Sequence, residues 1–122
     1  MERDVADIID RASIACLKAE KIREDESIRE WKTFSEEIKT LEIKYPKIPI
    51  DRFFQFLIKI NDMIWKLESD VRQGKLDGAL SEVGRRAIEI REHNNLRIQV
   101  KNIINTLCDT GFMDIKRDHG SQ

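Results

Sequence analysis

The sequence predicts an all-α fold, a single domain over residues 1–122. We expect an antiparallel bundle of three long helices over about 2–45, 50–73 and 80–108, with a tail over 109–122. Three observations lead there. Apolar residues recur at three- and four-residue steps along most of the chain, the period that gathers them on one helix face. Only 5 glycines and 2 prolines interrupt 122 residues, too few for the many turns of a β fold. Charged residues make up 37% and hydrophobic ones 40%, enough apolar content for a core and too much for a disordered chain.

In the first helix, Val5, Ile8, Ile9, Ala12, Cys16, Ala19 and Ile22 set the stripe, and Ile28, Trp31, Phe34, Ile38 and Leu41 continue it. The period survives the charged stretch 23–29, so the expectation is one long helix, with a kink near 25–27 that could divide it in two. Tyr45-Pro46-Lys47-Ile48-Pro49 stops it, because proline disfavours helical geometry in the preceding residue and suits a first turn. The second helix carries Ile50, Phe54, Leu57, Asn61, Ile64, Glu68 and Val71, widened by Phe53, Ile60 and Trp65. Gly74 and Gly78 bracket a turn. A third helix follows, with Ser81 near its start and Gly111 as its expected stop. Phe112, Met113 and Ile115 are expected to pack briefly on the bundle.

Lys plus Arg number 22 and Asp plus Glu 23, a net charge of −1. That balance gives no global attraction for nucleic acid or an anionic membrane. No apolar run approaches the ~18 residues of a membrane span, and Met1 is followed by charged Glu2-Arg3-Asp4 rather than a leader. A cytoplasmic location is the expectation, with Cys16 and Cys108 as unpaired thiols.

The third helix changes character midway. Val83, Ala87 and Ile90 form a plain stripe, and Gly84 beside it would admit a close neighbour. The same stripe then becomes Asn94, Arg97 and Lys101 before returning to Ile104 and Cys108, while Leu96, Val100, Ile103 and Leu107 open a second apolar face. Buried polar groups left unpaired cost about 1–3 kcal/mol each, so these need partners. Folding the second and third helices into a hairpin sets Asn61 near Asn94, Asp62 near Arg91 and Glu68 near Arg85. In one reading these pairs fix helix register. In the other, Trp65, Glu68, Arg91, Asn94, Arg97 and Lys101, with Asn61, line a cleft for a small anionic or sugar-like ligand, arginine forks suiting carboxylate or phosphate.

The runs Trp65-Lys66-Leu67-Glu68-Ser69-Asp70-Val71-Arg72-Gln73-Gly74, Glu82-Val83-Gly84-Arg85-Arg86 and Ile88-Glu89-Ile90-Arg91-Glu92-His93-Asn94, then Lys101-Asn102, resemble a group of small uncharacterised helical bacterial proteins. The resemblance spans about residues 60–118 and implies a helical fold but no activity, substrate or cofactor. Arg86 and His93 resemble the Arg-x(4–6)-His element of HEPN ribonucleases, which implies phosphate-charge stabilisation by the arginine and acid–base work by the histidine. Ala87 stands where the family carries a polar residue. Glu89 and His93 share a face that a metal could use, but the chain has only 2 histidines, and no metal or other cofactor is expected. Glu36, Glu37, Glu82 and Glu89 match the acid clusters of nucleotide pyrophosphohydrolases poorly.

The functional expectation is a non-enzymatic interaction or assembly module, homo-oligomeric or docked on a helical protein partner. Its first helix outruns the second, and the unmatched half must be covered by a folded-back segment or by another subunit. The alternative is a small enzyme, HEPN-like ribonuclease before pyrophosphohydrolase.

Overall fold

A computed structural model describes residues 4–72 and 80–109, apart from the side chains of residues 71, 72 and 80. These residues form four helices and no strand: α1 (Val5–Lys21), α2 (Asp25–Lys44), α3 (Ile50–Arg72) and α4 (Leu80–Cys108). The turn at Gly74–Gly78 and the tail with Gly111, Phe112, Met113 and Ile115 lie outside the described residues. No helix among them is long and apolar enough to cross a membrane.

The chain runs up and down through the four helices. Lys18 of α1 lies 4.0 Å from Glu30 of α2, and Val5 and Ile8 share a groove with Leu41 and Lys44 at the other end, so α1 and α2 are antiparallel. α1 and α3 form the inner pair, each packed on all the other helices, whereas α2 and α4 flank them without packing on one another. The core between the inner helices is tight. Ile9, Ile50, Leu57 and Ile104 are essentially inaccessible, and Ala6 and Ala12 of α1 are fully buried. Small side chains at those points let α1 lie close to its neighbours. Trp31 of α2 stacks on Phe54 of α3, with ring centroids 5.6 Å apart and planes 5° from parallel, an offset geometry worth about 0.5–1.5 kcal/mol beyond area burial.

The expected single helix over 2–45 is two helices, because the chain reverses at residues 22–24. Arg23 takes a φ of 61°, a left-handed stop, while the N–H groups of Ile22 and Arg23 both donate to the Lys18 carbonyl at 2.8 and 3.4 Å. The Arg23 Nε donates to the Glu20 carbonyl at 3.1 Å. Residues 20–26 are all exposed, so the reversal sits at the surface and takes no side chain from the core. Reversing the chain lets Ile38 and Leu41 bury against α1 and α3, and hydrophobic burial outweighs one unfavourable backbone conformation. The surplus length that suggested another subunit is thus covered by the chain itself.

One smaller expectation changes as well. Gly84 admits no close neighbour, since a Cβ added there meets nothing within 4 Å. α4 ends at Cys108, the expected boundary, and is followed by Asp109 with a φ of 55°, a residue whose short polar side chain tolerates the left-handed region. Arg23 gives the clearest stability test. Arg23→Gly should raise stability by about 0.5–1 kcal/mol in urea denaturation, and Arg23→Val should lower it by a similar amount or more.

Candidate functional site

Asp10 sits on α1 between Ala6, Ser13 and Leu17, the second face of that helix, and is only 1% exposed. A carboxylate so placed requires partners, and it finds them on two other helices. Arg97 of α4 reaches it as a fork, Nε lying 3.0 and 3.1 Å from the two carboxylate oxygens and Nη2 2.6 Å from Oδ2. Asn61 of α3 donates its amide to Asp10 Oδ1 at 3.0 Å and to Ser13 Oγ at 2.8 Å. The Ser13 hydroxyl in turn donates to the Asp10 carbonyl at 2.6 Å. One buried side chain therefore ties α1 to both α3 and α4.

The rest of the polar stripe of α4 climbs α1 in the opposite direction. Lys101 Nζ lies 3.7 Å from Asp7 Oδ1. One turn further, Asn105 Oδ1 accepts from the Ala6 N–H at 3.0 Å. That N–H lies in the first turn of α1, where backbone donors have no partner within the helix; Asp4 caps the next, accepting from the Asp7 N–H at 3.0 Å. As residue numbers rise on α4 they fall on α1, so these helices are antiparallel and joined by a ladder of Arg97, Lys101 and Asn105.

Five of the expected ligand residues meet at one place. Asn61, Trp65, Glu68, Asn94 and Arg97 line a cavity of about 190 Å³, floored by Leu17 and Ile64. Lys101 lies on the ladder instead, and Arg91 is exposed, with no ion pair among the described residues. The pairings differ from the expected ones. Asn94 accepts a long contact of 3.4 Å from Arg97, while Asn61 bonds to Asp10 and Ser13 of α1, so the two asparagines do not pair with each other. Asp62 pairs with Lys21 at 2.9 Å and Lys66 at 3.1 Å rather than with Arg91. Arg85 pairs with Glu82 of its own helix rather than with Glu68. Partial burial pushes the Asp62 carboxyl up, but hydrogen bonds and charge from the two lysines outweigh it and hold its pKa below the usual carboxylate value. Lys21 also lies 5.8 Å over the Trp65 ring, a cation–π contact on one face of the indole.

The groups of the enzyme readings are engaged locally. Arg86 lies 3.6 Å from Glu82 and 3.9 Å from Glu89. His93 Nδ1 contacts the Glu89 carbonyl at 2.8 Å, which requires a proton on that nitrogen and leaves Nε2 as the other ring position. Glu36 and Glu37 stand on α2 and Glu82 and Glu89 on α4, helices that do not touch; no group of three metal-ligating side chains occurs among the described residues. Both thiols are free. Burial, together with the charge and hydrogen bonding of Glu20, pushes Cys16 up to about 11. Burial likewise raises Cys108, against a smaller opposing effect of Lys44. Neither is a thiolate nucleophile at neutral pH.

Removing one side of the Asp10–Arg97 pair leaves a buried charge uncompensated. Arg97→Met should cost roughly 3 kcal/mol, near the lower end for broken buried pairs because the arginine is partly solvated. In a denaturation double-mutant cycle, Asp10→Asn on the Arg97→Met background should cost much less than alone, a coupling of at least about 1 kcal/mol. With this geometry in hand, comparison against family models, curated proteins and solved structures finds no match to the chain.

Proposed function

We propose that this chain is a self-assembly module, two copies of which associate through the outer face of the α3–α4 hairpin. The carrying observation is a set of large apolar side chains left in solvent there. Phe56 and Met63 on α3 are 46% and 44% exposed, and Leu96, Ile103 and Leu107 on α4 are 39%, 51% and 52% exposed. They form a continuous face by register. Asn61 and Arg97 meet at one carboxylate, so those positions are level on antiparallel helices. Counting outward sets Met63 beside Leu96 and Phe56 beside Ile103, each within one residue. Ile60 and Val100, both 4% exposed, fill the seam between the helices, and the exposed rows flank it.

Side chains of this size, about half exposed, present on the order of 400 Å² of contiguous apolar surface, at the scale where patches on soluble proteins mark interaction sites. With its polar borders the face approaches the ~800 Å² per partner of a stable association. The polar cavity reads differently. At about 190 Å³ it falls below the roughly 300–1,000 Å³ of most ligand pockets, and its arginine is committed to Asp10. We read that network as what positions α4.

Light scattering after size exclusion, over micromolar to submillimolar protein, tests the proposal. The wild type should run as a dimer. Ile103→Glu, which alters an exposed side chain, should be monomeric with unchanged helicity, a weakening on the order of 100-fold or more because the change occurs twice across a two-fold. A wild-type monomer at every concentration overturns the proposal.

A further inference from the structure

Resting on that reading, we infer that the two copies pair with α3 of one facing α4 of the other, about a two-fold axis parallel to the helices. The borders of the apolar face decide this. On α3 the outer border is Arg52, Lys59 and Lys66, all exposed, at seven-residue steps. On α4 it is Glu92, Gln99 and Thr106, also exposed and also at seven-residue steps. Seven residues are nearly two helical turns, so each trio forms a straight line along its helix.

Two isologous arrangements bring these faces together. With the two-fold perpendicular to the helices, α3 lies on its own copy. The apolar rows then match, Phe56 against the partner's Met63, but so do the basic lines. Lys59 meets its own symmetry mate, and Arg52 meets the partner's Lys66 twice, so every contact along the α3 border is between like charges, while the α4 border, Glu92 on Thr106 and Gln99 on Gln99, offers no compensating pair. With the two-fold parallel to the helices, each residue meets the position level with it on the partner's neighbouring helix. The level set by Asn61 and Arg97 then places Lys66 beside the partner's Glu92, Lys59 beside the partner's Gln99, and Arg52 beside the partner's Thr106. Phe56 packs on the partner's Ile103 and Met63 on the partner's Leu96. Lys66, which already holds Asp62 on its own helix, gains a second carboxylate, and no like charges meet. Opposing like charges cost as much as rim pairs gain, and a two-fold counts each of them twice. The apolar contacts are comparable in the two arrangements, so the borders choose the second.

Cysteine cross-linking of the full chain distinguishes the arrangements. Of the native thiols Cys108 is buried and Cys16 only partly exposed, so single fully exposed cysteines can be read against the wild-type background. Lys59→Cys and Gln99→Cys, mixed, allowed to exchange subunits and oxidised mildly, should give a covalent dimer containing one chain of each. Lys59→Cys alone should give none beyond the wild-type background. A strong Lys59→Cys homodimer overturns the inference, since it places α3 on α3. A wild-type dimer that forms no mixed cross-link overturns it equally. Both outcomes leave self-assembly standing, whereas a wild-type monomer by light scattering removes the parent reading as well.

Discussion

The Asp10 carboxylate is the constraint on which the arrangement of this protein depends. It is buried at the centre of α1, and moving an unpaired carboxylate out of water costs several kcal/mol even after relaxation. Among the described residues, Arg97 of α4 and Asn61 of α3 are the side chains of other helices that reach it, so the three helices have one mutual height at which the charge is satisfied. Such a pair contributes little net stability compared with an apolar replacement. Its effect is selective. A slip of α4 by one turn would carry Arg97 away from Asp10, Lys101 from Asp7 and Asn105 from the Ala6 N–H together, three penalties for one displacement.

The exposed face follows from that ladder. α4 has apolar residues on more than one side, and it cannot turn all of them inward. The ladder turns Arg97, Lys101 and Asn105 toward α1, and Val100, Ile104 and Cys108 fill the core beside them. Leu96, Ile103 and Leu107 are then left outside the seam with α3. Their exposure is a consequence of how the buried charge is satisfied. A helix that oriented by hydrophobicity alone would have had no reason to prefer this rotation.

Much of the fold was legible in the residues because apolar period and burial coincide on α3: Ile50, Phe54, Leu57, Asn61 and Ile64 were expected inside and are buried. The change of character on α4 at Asn94 was legible for the same reason. The reversal at Arg23 was not, since no glycine, proline or asparagine marks it and both helices keep one stripe in phase through it. Asp10 was missed for a related cause. Ala6, Asp10, Ser13 and Leu17 recur at three- and four-residue steps as a second buried face of α1, but an acid between two small residues looks like a solvated position until its partner is known. Arg97 reads as a polar interruption of the α4 stripe, yet its partner lies 87 residues away in sequence, on α1. Spacing within a hairpin carries no information about a third helix.

The Asp10–Arg97 pair, more than apolar packing, holds α4 in place against α1. Native-state hydrogen exchange on Arg97→Met, compared with wild type, tests it most directly. Amides from Leu96 to Asn105 should lose protection well before those of α1 and α2, because α4 detaches as a unit while the remaining core persists. Protection that falls by the same factor in all four helices would contradict it, since the pair would then be one contact among many in a single cooperative core.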